Sequence, residues 1–187
     1  MILMNLGKIL FLDVESTSLT AESGFIVGAG IMDENGKWIH EFVDDNIAEN
    51  EGKILRRILE RISEADTIIT WYGENFDIPM IISRSLVNGI DPKIILEKRH
   101  IDLYKYARRL LRLNDYSLDR VAKFFGISKR SELKGSDMPP LYMRAISGDG
   151  EALKKIMEHC YDDLKALREI FIFMRSMIEH LEGEVDG

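Results

Sequence analysis

The chain has 187 residues, enough for one domain with a sizeable core, and its 45% hydrophobic and 30% charged content is ordinary for a soluble globular protein. No apolar stretch approaches the roughly 20 residues that span a bilayer, the apolar start lacks a basic region and a small-residue cleavage site, and the single cysteine, Cys160, excludes an internal disulfide and a zinc-thiolate cluster. A reducing, cytoplasmic setting is expected; the formal charge of -7 conceals a segment from Lys93 to Lys134 with twelve Lys/Arg against five Asp/Glu, so +7 lies there and -14 on the rest.

Lys8 to Leu12 is a nearly continuous apolar run that predicts a buried strand ending at Asp13. Asp13 and Glu15, two apart, then project from one face of it. Phe25 to Met32 predicts a second strand, Asp33-Glu-Asn-Gly36 a turn, and Lys37 to Val43 a third strand. Ile54, Leu55, Ile58, Leu59 and Ile62 recur at helical spacing, which predicts an amphipathic helix over Glu51 to Glu64, followed by a strand from Thr67 to Tyr72. Asp77-Ile-Pro79 opens the next helix, with proline in the first turn where its missing N–H costs nothing, and Asn88-Gly89 closes it.

His100 to Asp102 predicts a brief fifth strand, with Asp102 capping a helix from Leu103 to about Leu113 and Ser117 capping another that ends at Gly126. Ile127 to Pro140 is polar, contains Gly135 and Pro139-Pro140, and predicts a mobile loop. From Glu151 to His180 apolar residues keep helical spacing, which predicts one long helix; the acidic tail at 182–187 is expected to fray, leaving a single domain over 1–181. Strands first, then alternation with helices, imply an α/β fold: a mixed sheet of about five strands flanked by helices.

Four carboxylates in three separate segments carry the chemistry: Asp13 and Glu15, Asp77, and Asp163. Held together, like charges raise one another's pKa and burial penalises their ionisation, so something must compensate. Two divalent cations, Mg²⁺ or Mn²⁺, do so with hard oxygen ligands and can clamp the entering and leaving oxygens of a phosphodiester. His159 lies four residues before Asp163, so on a helix both share one face and a base stands beside a metal ligand. Asp162, one step round that helix, is read as exposed, and a one-residue shift would exchange it with Asp163.

These segments, in this order and with these spacings, resemble the DEDD superfamily of 3′–5′ exonucleases, which have a ribonuclease H-like fold. Tyr72-Gly-Glu-Asn-Phe-Asp-Ile-Pro, His100-Ile-Asp-Leu-Tyr, Asp115-Tyr-Ser-Leu-Asp and His159-Cys-Tyr-Asp-Asp are most similar to the proofreading exonuclease domain of family-B DNA polymerases, and to small stand-alone predicted exonucleases related to it. The resemblance extends over about residues 8 to 172. It implies that Asp13, Glu15 and Asp163 hold one cation and that Asp13, with Asp77 acting largely through water, serves the second. It implies further that Thr17 and Leu19 contact the terminal nucleotide and that Asn75 and Phe76 line the strand path. The substrate implied is a single-stranded 3′ end, DNA in preference to RNA, with release of nucleoside 5′-monophosphates. Polymerase domains have tyrosine where this chain has His159, while the four-residue spacing to Asp163 follows their pattern.

Three features lie outside these motifs. Lys105, Arg108, Arg109 and Arg112 form a basic stripe, either a phosphate grip or a solvated helix face, and Lys129, Arg130 and Lys134 are either a strand clamp or solvated charge. Trp71, Tyr72, Tyr104 and Tyr142 are candidates for stacking a base. Phe171, Met174, Met177 and Ile178 are read as a dimer or replication and repair partner surface; His40, His100 and Cys160 are read as structural. The alternatives to a DNA exonuclease are an exoribonuclease of the same fold and a non-catalytic module that holds a strand end or a partner.

Overall fold

The computed structural model describes residues 5–43, 47–131, 133 and 137–183; the first four residues, Lys134, Gly135 and the end of the acidic tail lie outside the described residues. The most apolar run takes the middle of the sheet. Strand β1 (Ile9–Ser16) is flanked on one side by antiparallel β2 (Ile26–Asp33), which pairs with antiparallel β3 (Trp38–Phe42). On its other side lies parallel β4 (Thr67–Thr70), which pairs with parallel β5 (Arg99–Asp102), so the order is β3-β2-β1-β4-β5. Buried on both faces, β1 has no polar side chain before Asp13, as a central strand requires.

Helices cover both faces. The α1 helix (Ile47–Ser63) buries Ile54, Leu55, Ile58, Leu59 and Ile62, while α6 (Gly150–Gly183) crosses β1 and β2. Along β3, Trp38 meets Tyr161 of α6, whereas Glu41 pairs with Arg57 and Arg61 of α1. Even and odd residues of a strand point to opposite faces, so α1 and α6 lie on opposite sides. The α2 helix (Asp77–Val87) follows β4, α3 (Leu103–Leu110) follows β5, and α4 (Leu118–Phe124) with α5 (Met138–Ala145) packs against α6. Among the described residues no helix is long and apolar enough to cross a membrane.

Several sequence expectations change. The last part of the predicted loop over Ile127 to Pro140 begins α5, with prolines in its first turn where their missing N–H is harmless; Met138, Leu141 and Ala145 bury its inner face. A 3₁₀ turn over Lys93–Glu97 was not anticipated. β4 stops at Thr70 because Tyr72 takes a positive φ, and α3 stops at Leu110 because Leu111 is extended, so Arg112 falls outside the predicted basic stripe. The expected partner surface is also corrected. Phe171, Met174 and Ile178 fill the core, Phe171 against Phe11 at 5.6 Å, while in that stretch of α6 Ile172, Phe173 and Met177 are exposed.

Candidate active site

Alternation along β1 sends Asp13 and Glu15 to the α6 face, and a register shift after Glu15 ends the regular pairing with β2 there. Opposite Asp13 in that pairing stands Gly30. A Cβ there would lie 2.5 Å from Cys160 Sγ and 2.5 Å from the Trp38 ring, so glycine is what lets α6 come close to the sheet beside Asp13. Cys160 then rests against the Asp13 carbonyl, Sγ to O 3.9 Å.

Asp77, the first residue of α2, sits where its sequence predicts, but its carboxylate is not a local cap. β4 ceases to pair with β1 at Phe11 and Ile69, and beyond that point Val14 N–H donates to Asp77 Oδ1 at 2.9 Å. The third segment arrives on α6, where His159 Nε2 lies 3.6 Å from Asp163 Oδ2. His159 Nδ1 is buried without a hydrogen-bond partner among the described residues.

Asp162 overturns the expectation that it is exposed. It is buried and accepts Arg130 N–H at 2.8 Å and Ser131 N–H at 2.6 Å, fastening the segment that carries Lys129 to α6. Asp162→Ala strands two backbone donors and is expected to cost about 2–4 kcal/mol of stability. Asp163→Ala is expected to weaken Mn²⁺ binding without that loss. Thermal melts and metal titrations of the two variants check the assignment; equal stability losses would contradict it.

The electrostatics of the cluster follow from crowding. Burial, and secondarily the charge of Asp163, pushes the Asp13 carboxyl up to about 7. Burial and then Asp13 hold Glu15 and Asp77 well above the usual carboxylate range. Asp163 is raised by burial, against which His159 and Lys129 act.

Two side chains answer the crowding. Lys129 pairs with Asp163 and lies 2.5 Å from Asp119; burial opposes its charge, but the two carboxylates outweigh burial and raise its pKa. Tyr142 of α5 hydrogen-bonds Glu15, and burial followed by the charge of Glu15 raises its pKa, so the phenol remains the donor. Sequence reasoning read Lys129 as either a strand clamp or solvated charge and Tyr142 only as a stacking candidate, and paired neither with the acids. A lone loop cation carries no local signal, whereas Met138, Leu141 and Ala145 at i, i+3 and i+7 could have disclosed α5.

This donor set fits a hard divalent cation. Carboxylate oxygens of Asp13 and Glu15 and Cys160 Sγ all lie within 4.8 Å of one another. Burial, with the charges of Asp13 and Glu15, keeps Cys160 a protonated thiol, so the ligands there are oxygens. Asp163 and His159 line the same cavity of about 260 Å³, whereas Asp77 is buried behind Val14. A larger cavity of about 850 Å³ opens on another flank of α6, by Trp38 and Tyr161, and holds none of the four.

The remaining candidate residues separate by position. Thr17, Leu19 and Phe76 line the carboxylate cavity, Leu19 being 85% exposed. Leu19 and Phe76 also border a neighbouring cleft that contains Asn75. Lys105 pairs with Glu74 just before Asp77. Arg109 acts on Tyr106, which bonds Glu182 near the far end of α6, about 28 Å along the helix from Asp163. His100 bonds Thr70 Oγ1 at 2.8 Å, and exposed His40 lies tilted between the rings of Trp38 and Phe42.

Comparison with known proteins follows the same lines. A family model described as RNase_H superfamily matches residues 10–175. The chain is 33% identical over 129 residues to a DNA polymerase of Methanocaldococcus jannaschii, covering 56% of this chain and 8% of that protein. It is 28% identical over 165 residues to a DNA polymerase of Thermococcus litoralis, covering 74% of this chain and 9% of that protein. The solved family B DNA polymerase from Pyrobaculum calidifontis superposes with a TM-score of 0.76 at 18% identity, covering 90% of this chain and 24% of that one. The chain thus spans a minor part of the relatives it matches.

Proposed function

Because the chain belongs to the RNase_H superfamily, matched over residues 10–175, we propose that it is a metal-dependent 3′–5′ exonuclease that releases nucleoside 5′-monophosphates from a single-stranded end, DNA in preference to RNA. One observation carries the reading: acids from separate segments meet at one end of β1 beside His159, and their mutual repulsion and burial leave them in need of positive charge. Relatedness to DNA polymerases supports the polymer substrate and the preference for DNA.

Asp13, Glu15 and Asp163 would hold one divalent cation, and Asp13 with Asp77 would serve a second. Bound there, Mg²⁺ or Mn²⁺ supplies a more acidic water and neutralises charge on the phosphate. The chain's own residues do the rest. His159 takes the proton of the attacking water at Nε2, the nitrogen on the Asp163 side, which requires the neutral ring to carry its hydrogen on Nδ1. Lys129 keeps a positive charge beside Asp163 that favours the charge developing on the phosphate. Tyr142 holds the Glu15 carboxylate in one orientation. Leu19 and Phe76 flank the terminal nucleotide where their cavity meets the neighbouring cleft.

The test is digestion of DNA and RNA oligomers of one sequence, labelled at either end, with Mn²⁺ or chelator. A metal-dependent ladder shortening from the 3′ end, faster on DNA, is expected. Faster loss of RNA would reassign the sugar, and intact oligomers that still bind would replace the enzyme by a binding module.

A further inference from the structure

The turn between β4 and α2 carries an aromatic side chain that the chemistry at Asp13 does not use. Tyr72 has φ of 63°, the single positive φ outside glycine among the described residues. A side chain is strained in that conformation, so the surroundings must hold it there. Buried Asp102 does so: its carboxylate accepts the N–H groups of Tyr72 at 2.8 Å, of Glu74 at 3.2 Å and of Tyr104 at 3.2 Å. The strain leaves a ring 46% exposed, so packing in the core does not account for it.

The neighbours of that ring have a consistent chemistry. Tyr104 stands edge-on to it, centroids 5.0 Å apart at 83°. The Arg108 guanidinium lies 5.8 Å from the Tyr104 ring and 5.5 Å from the Tyr116 ring, and donates to the Tyr104 hydroxyl at 3.2 Å. Arg108 is exposed, and among the described residues no carboxylate forms an ion pair with it, unlike Lys105, which Glu74 neutralises. An exposed ring beside a pre-oriented guanidinium suits a base followed by its phosphate, the repeating unit of a single strand.

The patch is placed to continue the site. Asn75 N–H bonds the Tyr72 carbonyl at 3.1 Å, and Asn75 itself lines the cleft shared by Leu19 and Phe76. β4 and β5 lie one and two strands from β1, so the patch begins about 5–10 Å across the same end of the sheet. We propose that Tyr72, Tyr104 and Arg108 form an upstream subsite, in which Tyr72 stacks a base behind the terminal nucleotide and Arg108 pairs with the adjoining phosphate. That the strand's 3′ end lies at Asp13 rests on the exonuclease reading.

The experiment measures binding of a labelled octadeoxynucleotide, with an unlabelled dinucleotide as competitor, to the full chain in Ca²⁺ or chelator. Wild type is compared with Tyr72→Gly, Tyr72→Phe and Arg108→Gln. Tyr72→Gly is expected to weaken octamer binding on the order of tenfold and to lower the ratio of octamer to dinucleotide affinity by the same factor. Tyr72→Phe should stay within about twofold of wild type, and Arg108→Gln should bind less tightly with a shallower salt dependence. Glycine relieves the strain at this φ, so an undiminished melting temperature in Tyr72→Gly separates lost contact from lost fold. Unchanged octamer affinity in Tyr72→Gly and Arg108→Gln, or equal losses for octamer and dinucleotide, would overturn the subsite. Failure to cleave with Mn²⁺ while Tyr72 still discriminates length would instead remove the reaction and retain the subsite.

Discussion

Asp13→Asn is expected to make the metal-free protein more stable at pH 8 while removing metal-dependent hydrolysis. Asp13 titrates at about 7 in the fold against 3.8 in a free side chain, because burial and Asp163 disfavour its charge. Between those values the folded chain binds more protons than the unfolded one, so this group's contribution to stability falls as pH rises from about 4 through about 7. A shift of about 3 units corresponds to at most about 4 kcal/mol above that window. Glu15, Asp77 and Asp163 are raised in the same direction, so they add to the trend. Calorimetry in chelator should show wild type and Asp13→Asn converging near pH 4 and separating by pH 8, with Mn²⁺ raising the melting temperature of wild type more than that of the variant. A variant less stable than wild type at pH 8 would mean that the cluster carries no repulsion for a cation to relieve.

His159→Ala should lower turnover by roughly 10²–10⁴-fold while Mn²⁺ affinity stays within a few-fold, because in the proposed mechanism the ring receives a proton and does not hold the ion. Its deficit should shrink as pH rises and hydroxide replaces the base. Lys129→Met should lower turnover by about 10–100-fold with no such recovery at alkaline pH, since Asp163 and Asp119 keep the ammonium protonated. Rate profiles from pH 6 to 9 for both variants separate the roles. Turnover of His159→Ala near that of wild type would hand the proton to another acceptor, and a Lys129→Met profile rising in parallel with that of His159→Ala would deny the lysine an electrostatic part.

The four acids were legible because each lies in a short local pattern: two strand positions, a helix start, and a helix face shared with a histidine. Asp162 and Asp163 were harder to tell apart. Both lie on α6, about 100° apart around its axis, and local spacing does not say which arc meets the sheet. Gly30 decides part of that by admitting Cys160 close to β1, and the donors of Arg130 and Ser131 decide the rest by claiming Asp162. The expected partner surface failed for a similar reason, since Phe171, Met174 and Ile178 lie on the buried arc and Phe173 and Met177 on the exposed one.

By itself, the sequence determined the strand-first order of elements, the apolar centre of the sheet and which acidic residues stand at the ends of its elements, because periodicity and charge are local properties. Tertiary structure alone decided that Lys129 and Tyr142 answer the cluster, that Asp77 spends an oxygen on Val14, and that Asp102 holds the backbone of Tyr72. Each of those outcomes depends on a partner 30 or more residues away, and the energy of a buried charge is set by what is packed around it, which no local spacing records.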